Sequence, residues 1–78
     1  MEIRSEIIGA VWKISVQVGD QVTAGKTLML LESMKMEIPV DAPTAGEVAE
    51  IRVTEGSNVK IGDVLVVVRQ SEMGQRPA

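Results

Sequence analysis

Displaced against itself by 37 positions, the sequence matches its own second half: Gly9 falls on Gly46, Val11 on Val48, Ile14 on Ile51, Val16 on Val53 and Gly19 on Gly56. The match continues through Val22 and Val59, Gly25 and Gly62, Leu28 and Leu65, and Leu30 and Val67. Because glycines and aliphatic residues agree in register, what is repeated is a plan of turns and buried positions. Two copies are too few for a solenoid, which needs at least about three to bury a continuous face. The pattern predicts two equivalent halves packed face to face about a pseudo-twofold axis.

Alternation and turn residues assign strands within each half. Val11, Ile14, Val16 and Val18 are separated by Lys13, Ser15 and Gln17, which predicts a strand over Ala10 to Val18. Gly19-Asp20 and Gly25-Lys26 bracket a short segment around Val22, and Thr27 to Glu32 is an apolar run suited to a central strand. Glu47 to Val53, Gly56-Ser57, Gly62-Asp63 and Val64 to Val68 repeat the scheme. Ile3 to Ile8 and Met36 to Ala42 add two further strands, with Pro39 marking an edge or a bulge. The result is an all-β sheet-on-sheet sandwich or flattened barrel with no place for a helix. Gly9, Gly19, Gly25, Gly46, Gly56 and Gly62 read as turn residues at positive φ, and Trp12, the single aromatic residue, reads as core packing.

This arrangement locates the ends. The strands flanking Met34-Lys35 correspond, one repeat away, to the strands near Val67 and Ile3, so Lys35 and the paired termini are expected at opposite ends. Residues 1–69 form the predicted domain, and the polar stretch from Gln70 to Ala78 reads as a disordered tail.

Composition narrows the chemistry. With 78 residues there is one small core, and with no Cys and no His there is neither thiol nucleophile, imidazole base nor zinc cluster, so catalysis and metal binding are not expected. A net charge of -3 and the lack of aromatic stacking platforms argue against nucleic acid. No apolar stretch approaches membrane-spanning length and the start lacks a secretory pattern, which predicts a cytoplasmic protein without a membrane partner; Met1 points to a free-standing chain. Gly19 to Thr27 resembles a phosphate-binding loop, but five residues separate its glycines where four are required, and a strand follows where a helix should.

The segment Glu32-Ser33-Met34-Lys35-Met36-Glu37-Ile38 remains. A lysine between two methionines stands where one apolar strand ends and another begins, and a two-residue turn falls on Met34-Lys35, although neither residue favours positive φ. From the residues alone two readings stand: a solvated lysine whose flanking methionines dip inward, or an adaptable thioether surface offered to a partner. Glu32 and Glu37 are not a catalytic pair, since no substrate cleft is expected beside them.

Glu32-Ser33-Met34-Lys35-Met36, followed by Ile38, Ala42-Pro43 and Gly46-Glu47-Val48, resembles the attachment segment of biotinyl domains, over a span of roughly Ile3 to Val68. The chain is similar to the small free-standing biotin/lipoyl attachment proteins of the biotin carboxyl carrier type. The resemblance implies a flattened barrel of two four-stranded sheets with quasi-twofold symmetry. It also implies covalent biotin on Lys35, in a monomeric carrier module that is not itself an enzyme. Met34 and Met36 favour biotin over lipoate, because lipoyl domains typically have Asp before the lysine and Ala after it. Ser33 stands where the biotinyl motif usually has Ala, a change expected to matter little.

The implied partners are a biotin protein ligase, which would recognise Met34, Met36, Glu32 and Glu37, and the biotin carboxylase and carboxyltransferase between which a carboxyl group is carried. A solvated lysine side chain near neutrality is an ammonium, which is not a nucleophile, so a ligase has to bring activated biotin and help remove the proton. The alternatives are a lipoyl carrier and an unmodified assembly module of the same fold.

Overall fold

The computed structural model describes residues 1–70, in which every regular element is a strand. These are β1 (Glu2–Arg4), β2 (Gly9–Ile14), β3 (Gln21–Val22), β4 (Thr27–Ser33), β5 (Met36–Asp41), β6 (Gly46–Ile51), β7 (Asn58–Val59) and β8 (Val64–Gln70). Adding 37 to the bounds of β2, β3 and β4 returns the bounds of β6, β7 and β8. The strands form two four-stranded antiparallel sheets, ordered β1-β8-β6-β3 and β5-β4-β2-β7, and the displacement carries each sheet onto the other.

Register follows the same rule. Val11 faces Leu31 and Ile14 faces Met29, as Val48 faces Val68 and Ile51 faces Val66. Each of these ladders slips by one residue at the same place, at Trp12 in β2 and at Ala49 in β6. Inward-facing aliphatics from both sheets, among them Val11, Leu28, Met29, Leu31, Val48, Leu65, Val66 and Val68, make one core. Fully burying each such side chain is worth about 1.5–3 kcal/mol, and this core does the work of the absent disulfides.

Glycines serve two different purposes. Gly19, Gly25, Gly56 and Gly62 have φ between 89° and 97°, a region that β-carbons disfavour. Gly9 and Gly46, expected to do the same, have no positive φ; a β-carbon there would strike the backbone carbonyl of Glu32 or of Arg69, its equivalent one repeat on. They are glycines of close strand approach.

Local hydrogen bonding corrects other expectations. β2 stops at Ile14, short of Val18, because the Gln17 amide donates to Asp20 Oδ2 at 2.9 Å and the chain turns there; Val16 is buried, whereas Val18 is exposed. Side-chain capture of the backbone overrode an alternating pattern. The Ile3 to Ile8 strand likewise ends at Arg4. Buried Ser5 donates its hydroxyl to the Ile7 carbonyl at 2.8 Å, and its own amide bonds the Asp63 carbonyl at 2.8 Å, so residues 5–8 leave the ladder as a loop. Trp12 is 49% exposed, not core, because it is the bulged residue on the solvent side of its sheet. Gln70, assigned to the tail from the sequence, closes β8 opposite Gly46, and residues 71–78 lie outside the described residues.

Candidate functional site

The β4–β5 ladder ends in the pairs Leu31 with Ile38, Glu32 with Glu37 and Ser33 with Met36. With Leu31 in the core and Ile38 half-buried, this register leaves two residues for the connection, Met34 and Lys35. Their φ values of 52° and 66° are both left-handed, as a type I′ turn requires. Such turns match the right-handed twist of the strands but favour Asn and Gly, and left-handed geometry costs residues with a β-carbon about 1–2 kcal/mol each. The pairing on both sides holds the tip in this strained form.

Everything at the turn points to solvent. Met34 is 91% exposed and Met36 63%, so the flanking methionines do not dip inward. Lys35 is exposed too, and the ion pairs among the described residues, Arg4 with Glu2, Arg52 with Glu50 and Arg69 with Glu47, leave its amine unpartnered. The chain therefore displays one primary amine on a fixed two-residue turn, the form an amide-linked arm needs.

Below the turn, Glu32 and Glu37 stand directly opposite each other, both exposed. Like charges so placed destabilise a sheet. On its other side Glu32 faces Ala10, which supplies no cation, whereas the equivalent pair one repeat away is Arg69 with Glu47, charges of opposite sign 3.8 Å apart. Among the described residues, the uncompensated acidic pair facing across a ladder thus lies at the Lys35 end.

Beside the tip, Ser33, whose departure from Ala was expected to matter little, makes a specific bond, and its partner Ile8 was not singled out from the sequence. The Ser33 hydroxyl donates to the Ile8 carbonyl at 2.9 Å, tying the hairpin to the loop of residues 5–8, and Ile8 is left 69% exposed. The departure of Ser33 from Ala was the available signal. Ile8 had none, because a strand ending at Ile8 looks continuous unless the turn made by Ser5 is foreseen.

No cleft was expected, yet a groove of about 310 Å³ runs along the open edge between β1 and β5. Ile3, Ile7, Leu31, Ile38 and Val40 line it, with Glu2, Arg4, Glu6 and Asp41 among its charged residues. Neither the tip residues nor any His or Cys contributes to its wall, so it adds no nucleophile to Lys35.

Comparison with known proteins agrees with this geometry. Residues 2–68 match the family model described as biotin-requiring enzyme. The biotinylated protein TB7.3 homolog of Mycobacterium leprae is 45% identical over 67 residues, 86% of this chain and 94% of that one. The biotin/lipoyl attachment protein of Bacillus subtilis is 42% identical over 71 residues, 91% of this chain and 97% of that one. Among solved structures, the urea carboxylase of Kluyveromyces lactis contains a segment that superposes with a TM-score of 0.84 at 36% identity, covering 88% of this chain and 6% of that one. A whole-domain match in sequence and in fold, around an outward-facing lysine turn, has one consequence: this chain belongs to the biotin/lipoyl attachment family, as one of its biotin carrier domains.

Proposed function

We propose that Lys35 carries biotin in amide linkage and that the carrier unit begins with β1 and ends with β8. The observation that carries this reading is the unpartnered Lys35 amine on a strained turn, between the exposed thioethers of Met34 and Met36. A biotin protein ligase supplies biotinyl adenylate. The nitrogen–carbon bond forms as the carbon–oxygen bond to AMP breaks, AMP leaves, and the lysine ammonium gives up two protons in becoming an amide N–H. Because no carboxylate pairs with Lys35 among the described residues and the sequence has no His or Cys, deprotonation belongs to the ligase, and the hairpin's part is to fix where the amine is offered.

Bound there, biotin supplies the ring nitrogen that accepts and releases a carboxyl group between a biotin carboxylase and a carboxyltransferase. The barrel holds the attachment point on a paired hairpin, at the end opposite the start of β1 and the end of β8, where Glu2 faces Val67. Tethering raises the local concentration of the arm's end at both partner sites. Met34, Met36, Glu32 and Glu37 form the surface that ligase and partners meet, with the acidic pair suited to a basic contact. On this reading the carrier acts as a monomer in the cytoplasm, where a ligase and carboxylase components can reach Lys35.

Lipoate on the same lysine is the second reading, supported by the Bacillus subtilis relative described as a biotin/lipoyl attachment protein. Intact-mass spectrometry after co-expression with a biotin ligase decides between them. The expected result is one biotin adduct on wild type and none on Lys35→Arg. An adduct persisting in that variant removes Lys35 from the reading, and a lipoyl mass formed with a lipoate ligase selects the alternative.

A further inference from the structure

The pseudo-twofold provides an internal control for every exposed side chain near the tip, since each position has a mate in an equivalent backbone setting at the opposite end. Ile8, 69% exposed, has Ala45 as its mate; Ile61, 67% exposed, has Ala24. The loops carrying these pairs are built alike: Ser5 bonds the Asp63 carbonyl and Gly62 bonds the Ser5 carbonyl, as Ala42 bonds the Lys26 carbonyl and Gly25 the Ala42 carbonyl. The fold therefore accepts alanine in these settings. A large exposed aliphatic gives the barrel little, and removing it from water requires a partner.

Position identifies that partner. Ile8 precedes Gly9, whose backbone lies against the Glu32 carbonyl, and its own carbonyl accepts the Ser33 hydroxyl at 2.9 Å. Ser33 in turn pairs with Met36 across the hairpin. Met36, Ser33 and Ile8 thus stand side by side at the end of the sheet that closes in Met34-Lys35. Any enzyme that acylates Lys35 must bring its active site to this apex, so its footprint falls on the same row. The mate of Ser33 is Gln70, and no side-chain bond joins Gln70 to Ala45 among the described residues, so the latch belongs to the acceptor end alone.

Resting on the reading of Lys35 as the biotin acceptor, we infer that Ile8 is a recognition residue for the biotin-attaching ligase, 27 positions from the acceptor in sequence, and that Ser33 is a positioning residue that holds it there. The contact is apolar: the ligase covers Ile8 together with Met36 while its active site takes the amine. Recognition then extends beyond the hairpin to a second segment, and a hairpin peptide alone is a poorer substrate than the folded domain.

Steady-state transfer of biotin from biotin and ATP by a biotin protein ligase, with the intact carrier as the varied substrate, tests this. Ile8→Asp is expected to raise the KM for carrier about tenfold, and Ile8→Ala by several-fold, with kcat and the melting temperature near wild type. Ser33→Ala is expected to raise KM by about threefold and Ser33→Thr to retain the wild-type value, because only the hydroxyl is used. Ala45→Asp, the same change at the mate position, leaves KM unaltered. Non-enzymatic acylation of Lys35 by an activated biotin ester, measured on its peptide, stays equal in all variants, which separates docking from exposure of the amine. An unchanged KM in Ile8→Asp, with wild type loaded normally, overturns this inference alone. A wild-type domain that accepts no biotin overturns the reading of Lys35 and this inference with it.

Discussion

The β4–β5 hairpin and its mate, the β8–β1 pair, share one ladder: Leu30 faces Pro39 and Met29 faces Val40, as Val67 faces Glu2 and Val66 faces Ile3. Their ends differ completely. One closes in a two-residue turn bearing Lys35; at the other no turn joins β8 to β1, and the Met1 nitrogen donates to the Val68 carbonyl at 2.7 Å. Since an equivalent ladder stands without a turn, strand pairing of this kind does not depend on a covalent closure at its end. The exposed thioethers, uncompensated carboxylates and left-handed backbone of the Lys35 end are concentrated where strand pairing does not require them, as expected of a surface kept for partners.

The sharpest way to break the comparison is in the core, where the halves should be interchangeable. Leu28 and Leu65 are mates and both are fully buried. Leu28→Ala and Leu65→Ala are each expected to cost about 2–5 kcal/mol, and to agree with one another within about 1 kcal/mol. Urea denaturation followed by circular dichroism measures both. A large difference would mean that the two sheets share a backbone but not an energetic role.

Smaller effects are expected where strands approach closely. Gly9→Ala and Gly46→Ala each drive a methyl into a facing carbonyl, and overpacking of this kind costs about 1–3 kcal/mol. At Gly46 the new carbon also meets Val68 Cγ1 in the core, whereas at Gly9 its further neighbour is the half-buried Ser33. Gly46→Ala should therefore be the more damaging, and Gly9→Ala should disturb the tip as well, since it displaces the Ser33 end of the hairpin. Equal melting temperatures for the two variants would contradict the structural difference.

The pseudo-symmetry was legible from Gly9, Gly46 and their aliphatic companions because turns and burial recur at fixed spacing, and from it came the sheets and the position of Lys35 at a tip. What was not legible depended on single hydrogen bonds. Val16 and Val18 alternate like strand residues, yet Asp20 captures the Gln17 amide and ends the strand. Ser5 does the same to the first strand, and that turn leaves Ile8 in the open. Trp12 was misplaced for another reason: a bulge shifts which side chains face inward, and no residue pattern around Trp12 announces one, because its mate at the equivalent bulge is Ala49. The two-residue turn at the tip was inferred from loop length against the residue preferences, and its left-handed backbone shows pairing overriding propensity.

That conflict yields the smallest and most informative test. Where the backbone turns left-handed elsewhere, at Gly19, Gly25, Gly56 and Gly62, the chain places glycine; at Met34 and Lys35 it does not. If the tip served only to connect two strands, glycine would suit it better. Met34→Gly should relieve most of the left-handed penalty while adding chain entropy to the unfolded state, for a net stabilisation of about 1 kcal/mol. The same variant removes a 91% exposed thioether beside Lys35, so on the proposed reading biotin loading should become less efficient as the melting temperature rises. Opposite signs in the two measurements would show that Met34 is kept for its partner at the expense of the fold. A variant less stable than wild type would instead place Met34 among the contacts that hold the hairpin, and the contrast between the tip and the four glycine turns would lose its functional meaning.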